Sequence, residues 1–139
     1  MKLNEKFRIP RIIIIQKLYG REINKDSILE FPKHRYKKFI KDIVMGSIER
    51  QELIEETIKT HLSKDINFER TEKLLLIALK AAMFEFLYRP QTAINIIINE
   101  YLNAAKFFLD IGQVKFLNAL LDKISKKVRN LNEWVSNNW

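Results

Sequence analysis

Residues 74–87 read Leu-Leu-Leu-Ile-Ala-Leu-Lys-Ala-Ala-Met-Phe-Glu-Phe-Leu, and only Lys80 and Glu85 interrupt their apolar character. Such a segment is apolar on nearly every side of a helix, so it has no face suited to water. It belongs in the middle of a fold, and the rest of the chain must supply amphipathic elements that surround it. The uninterrupted apolar runs, such as residues 12–15 and 81–84, are far too short to span a bilayer, which takes about 20 residues.

The surrounding elements are legible as stripes. Ile94, Ile97, Ile98, Tyr101, Ala105 and Phe108 recur at helical spacing and form one apolar face. Leu117, Leu120, Leu121, Ile124 and Val128 form another. Ile43, Ser47, Ile48, Leu53, Ile54, Ile58 and Leu62 predict two helices with a break within residues 46–51. Pro10 suits a first helical turn, where its missing N–H costs nothing, so a helix is expected over residues 10–21. The β-branched run Ile12, Ile13, Ile14 and Ile15 is the best strand candidate, but its flanks favour helix. Residues 26–32 read as a connection, with Pro32 opening the next helix. Thr71 is placed to cap the central helix, and Arg89-Pro90 ends it, because proline restricts the residue before it. Gly112 is placed to close the helix that begins near Ile94. The expectation is an all-α chain of six or seven helices in one domain over residues 1–139, with residues 130–139 read as a polar tail, flexible or loosely docked, that carries Trp134 and Trp139.

The chain has 139 residues, 47% of them hydrophobic, which is enough for one core. Its formal net charge is +8, and this charge is sorted along the chain. Residues 1–41 hold 12 Lys and Arg against 4 Asp and Glu; residues 42–110 hold 8 against 11; residues 111–139 hold 5 against 2. Basic ends around an acidic middle suggest two faces for two kinds of partner. The charged start of the chain is unlike a secretory signal, so a cytoplasmic protein is expected.

Much chemistry is missing from the sequence. With no cysteine there is no thiolate nucleophile and no disulfide. Gly20, Gly46 and Gly112 stand too far apart to build a phosphate loop. The two histidines, His34 and His61, read as surface or boundary residues, and Glu55-Glu56 diverge around a helix rather than converge. Glu85 and Glu100, acids on inner helices, are expected to bridge to a Lys, an Arg or a backbone N–H. No catalytic residue, metal site or cofactor is expected.

What remains is basic surface. Arg8 and Arg11 stand three apart at the start of a helix, where the positive helix end also favours phosphate. Arginine can grip phosphate with a fork and stack on bases. Tyr19 is either a stacking partner or a core tyrosine. Lys33, Arg35, Lys37, Lys38 and Lys41 form a second, less patterned cluster, read as a solvated face. Lys115, Lys123, Lys126, Lys127 and Arg129 would join the first cluster if the last helix packed beside the first.

Five stretches, in order, resemble the NusB family of bacterial antitermination factors. They are Arg8-Ile-Pro-Arg11 through Gln16-Lys-Leu18-Tyr19; Lys41-Asp42-Ile-Val-Met-Gly46; Leu79-Lys80-Ala-Ala-Met-Phe84-Glu85-Phe; Ile98-Asn99-Glu100-Tyr101 with Ala105-Lys106; and Lys115-Phe116-Leu-Asn118-Ala-Leu-Leu121-Asp122-Lys123. The resemblance implies a stand-alone all-α fold and a role in transcription antitermination. It implies binding to the boxA element of nascent RNA, together with the small-subunit ribosomal protein NusE, in an RNA polymerase elongation complex with other Nus factors. A homodimer is also possible. Matched position by position, the RNA contacts implied are Arg8, Arg11, Gln16, Tyr19, Lys115 and Phe116. Asn99, Glu100, Asn118 and Asp122 are expected to be structural. The family's first helix often carries three or four arginines, whereas Ile9 and Pro10 interrupt the cluster here, so RNA binding is expected to lean on NusE. The implied NusE face falls in the acidic middle. A recognition module like that of RNA cytosine methyltransferases, or a protein-only adaptor, would share the fold.

Overall fold

The computed structural model describes residues 9–137, with side chains through residue 129. Among the described residues there are six helices: α1 (Pro10–Ile23), α2 (Lys37–Glu49), α3 (Gln51–Leu62), α4 (Lys73–Tyr88), α5 (Ile94–Ala105) and α6 (Ile111–Asn137). The fold is all-α. Helix α4 packs against all five others, which is the burial its composition demands. Its residues from Leu75 to Phe86 are buried apart from Lys80, which is only half-buried. None of the described helices is both long and apolar enough to cross a membrane.

Helix α1 packs on α2, α4 and α5, so Arg11, Ile12, Ile13, Ile14 and Ile15 are all buried. The β-branched run is helical because neighbours cover nearly its whole circumference. Asn24 ends α1: its carbonyl accepts from Ser27 Oγ at 2.8 Å and its side-chain oxygen accepts from the Asp26 N–H at 3.2 Å. Arg50 alone separates α2 from α3, and its guanidinium lies 4.3 Å from the Tyr88 ring centroid.

Local punctuation departs from expectation in three places. Pro32 does not open α2, which begins five residues later, at Lys37. A turn intervenes, in which the Tyr36 N–H donates to His34 Nδ1 at 2.9 Å and the Lys37 N–H to the His34 carbonyl at 3.1 Å. Thr71 does not cap α4, because its hydroxyl donates upstream to the Asn67 carbonyl. The cap is Glu72, whose carboxylate accepts from the Leu75 N–H at 3.0 Å. Gly112 does not close α5, which ends at Ala105; it lies in the first turn of α6. That turn is set by a reciprocal box, with the Gln113 N–H donating to Asp110 Oδ1 at 2.8 Å and the Asp110 N–H to Gln113 Oε1 at 3.4 Å. Helix α6 itself runs through Asn137.

Gly46 shows why two of the sequence motifs go together. A Cβ at this helical position would overlap the ring of Phe84 on α4, so glycine permits the close approach of α2. The ring is largely enclosed, with the Tyr88 ring 5.0 Å away. Gly46→Ala is therefore expected to destabilise by about 1–3 kcal/mol, the usual range for overpacking. Pairing it with Phe84→Leu should recover part of that loss in denaturant unfolding. A Gly46→Ala variant more stable than the parent would show that the ring moves freely.

Candidate nucleic-acid interface

Four motif residues from three helices meet at one place. Arg11 on α1 forks onto Glu85 of α4, with Nε to Oε2 at 3.0 Å and Nη2 to Oε1 at 2.7 Å. Its Nη1 lies 3.8 Å from Glu100 Oε2 on α5. The guanidinium also sits 5.0 Å from the Phe39 centroid and 5.5 Å from that of Tyr101. The expectation that Glu85 and Glu100 bridge to a cation is met at both positions. Burial acts to lower the Arg11 pKa, but the hydrogen bond and charge of Glu85 outweigh it, and the pKa is raised. Burial, then the Glu85 charge, pushes the Tyr101 hydroxyl well above the ordinary tyrosine value. A planar arginine pinned between carboxylates and aromatic rings has one geometry, so this cluster fixes the first turn of α1. Arg8 lies outside the described residues.

The other expected site residues are dispersed. Gln16 is half-buried and lines a cleft between α1 and the α1–α2 connection. Tyr19 is half-buried against the core. Lys115 and Phe116 are both exposed, five and six residues into α6 when Ile111 is counted as the first. Among the described residues, no hydrogen bond, ion pair or ring contact joins any two of Arg11, Gln16, Tyr19, Lys115 and Phe116.

Three of the C-terminal cations, Lys123, Lys126 and Arg129, are engaged within the fold. Helix α6 seats on α3, α4 and α5 and shares no substantial contact with α1. Lys123 pairs with Asp65 at 2.7 Å and Lys126 with Asp122 at 3.2 Å. Arg129 is buried and donates to the carbonyls of Phe86, Arg89 and Thr92 at 2.7, 3.0 and 2.8 Å. The role of Phe39 against Arg11 was not foreseen. Its signal in the sequence was slight, an aromatic inside a lysine-rich segment. Among the described residues, no group of three His, Cys, Asp or Glu side chains is placed to hold a metal.

Comparison with known proteins adds to this geometry. Residues 8–126 match the NusB family. The chain is 28% identical over 138 residues to the transcription antitermination protein NusB of Caulobacter vibrioides, covering 87% of this chain and 93% of that one. It is 30% identical over 136 residues to the NusB of Sinorhizobium fredii, covering 86% and 85%. A solved structure of T. maritima NusB shares the fold, with a TM-score of 0.74 over 86% of this chain and 89% of that one, at 24% identity. The match runs from the segment leading into α1 to the middle of α6 and takes in all five motif stretches, so the chain belongs to the NusB family.

Proposed function

We propose that this protein is a transcription antitermination factor, a binding protein rather than an enzyme. In this reading it acts in the cytoplasm on nascent RNA. It pairs with the small-subunit ribosomal protein NusE, holds a boxA element, and helps the RNA polymerase elongation complex with its other Nus factors resist termination. The observation that carries the reading is the start of α6. There an exposed aromatic, Phe116, adjoins an exposed cation, Lys115, offering a base-stacking surface beside a phosphate contact. Arg8 and Gln16 would add contacts from the α1 side, with Tyr19 beside them. Arg11, engaged by Glu85, would act from beneath by holding the first turn of α1.

The test is binding to a boxA RNA with and without NusE. NusE is expected to co-elute with the protein, and the pair to bind the RNA more tightly than either alone. Phe116→Ala should weaken binding by about 1–3 kcal/mol, the usual value of one stacked base. Lys115→Ala should reduce the slope of log K against log salt by roughly 0.7. If binding is indifferent to salt and to both substitutions, α6 does not face RNA; if NusE does not co-elute, the partner is wrong.

A further inference from the structure

We propose that the connection between α1 and α2, with the start of α2, forms a second contact for single-stranded RNA, carried by elements other than α6. This rests on the reading of the chain as an RNA-binding factor and extends it. Between Glu30 and Asp42 there is no acid, while Lys33, Arg35, Lys37, Lys38 and Lys41 are all exposed. None of the five forms a salt bridge among the described residues, unlike Lys80, Lys123 and Lys126. Unpaired surface lysines alone would be an ordinary solvated face. Three further observations set this surface apart.

The first is electrostatic. Helix α2 starts at Lys37 with no acid in its first turn and no side-chain cap on its N–H groups. Cations at this end oppose the positive helix terminus, which favours an anion. The fold thus tolerates an unfavourable concentration of positive charge, and a bound phosphate would relieve it.

The second is an aromatic plate. Tyr36 is 47% exposed in the middle of the cluster. It is held by its N–H bond to His34 and by ring contact with His34 at 5.9 Å, and the Arg35 guanidinium lies 5.5 Å from its centroid. An exposed, positioned aromatic among cations is the usual means of binding single strands without reading sequence.

The third is a path. Gln16, Lys17, Glu30, Phe31, Lys33 and His34 line an open cleft between α1 and the connection. Gln16 comes five residues after Arg11, so it points about 140° away from it around the helix. The cleft gives Gln16 a place in the site that Arg11 does not share. Tyr36 adjoins this lining through its ring contact with His34.

The experiment compares two RNAs, a boxA-length oligonucleotide and one lengthened by roughly ten unpaired nucleotides. Wild-type protein with NusE is expected to bind the longer RNA about tenfold more tightly. The exposed triple variant Lys33→Gln, Arg35→Gln, Lys37→Gln should lose that gain and lower the salt slope by roughly 2, at about 0.7 per phosphate. Tyr36→Ala should lose most of the gain and Tyr36→Phe should keep it, while Lys115→Ala weakens both RNAs alike. If the longer RNA gains nothing, or the triple variant keeps the gain, this inference fails and the antitermination reading stands. If wild-type protein binds neither RNA, both fail. If the triple variant instead loses binding only to vesicles of anionic lipid, the surface belongs to a membrane and the RNA assignment is wrong.

Discussion

Glu85→Ala is expected to lower stability by about 3–5 kcal/mol, the cost of leaving a buried charge without its partner. Glu85 is fully buried and receives two hydrogen bonds from Arg11. Removing it strands the guanidinium of the buried Arg11, with Glu100 at 3.8 Å the remaining carboxylate. For a chain of this size the melting temperature should fall by roughly 10 °C. Arg11→Met should be nearly as harmful, because it leaves the carboxylate alone. The double variant Arg11→Met, Glu85→Leu should recover much of the loss, since a buried ion pair can often be replaced by packed apolar groups. Thermal unfolding of wild type, Arg11→Met, Glu85→Leu and the double variant at neutral pH closes the cycle and gives the coupling directly. Additive single losses would show that the two side chains do not act as a pair.

Arg129→Met is the second large effect expected, at about 3–5 kcal/mol. The last carbonyls of a helix have no partner within it. At the end of α4 the carbonyls of Phe86 and Arg89, and that of Thr92 in the following turn, all accept from this one guanidinium. Each bond to a charged donor contributes about 1.5–3 kcal/mol, and the cation also complements the negative helix end. Methionine keeps much of the apolar packing and removes all three bonds. Arg129→Lys, with no planar fork, should restore only part of the loss. Denaturant unfolding measures the size of the effect. Hydrogen exchange should show faster opening of residues 89–93, where α4 turns into α5. A methionine variant within about 1 kcal/mol of wild type would mean that water replaces the guanidinium without cost.

The helices were readable because their signals are local. Every residue of the stripe Leu117, Leu120, Leu121, Ile124 and Val128 is buried, and the all-apolar segment is the one that touches every other helix. Errors fell at the ends of elements, where candidate caps compete. Thr71 and Glu72 are adjacent, and which of them caps α4 was decided by the Asn67 carbonyl that takes the Thr71 hydroxyl. Gly112 read as a stop, but the Asp110 and Gln113 bonds make it part of a start.

The candidate site was less legible, because charge does not show where it points. Arg8 and Arg11 read as one basic face from their spacing. Yet Arg11 turns inward to a glutamate 74 positions away in sequence, and Arg129 turns to carbonyls about 40 positions back. The lysines of residues 33–41 read as ordinary solvated surface, and among the described residues none of them forms a salt bridge, whereas Lys80, Lys123 and Lys126 each do. By itself the sequence determined the helical class, the central helix and the apolar faces, since hydrophobic periodicity is a property of neighbouring residues. Only the tertiary structure decided which cations serve the fold and which face outward, because burying a charge depends on partners that folding brings from far along the chain.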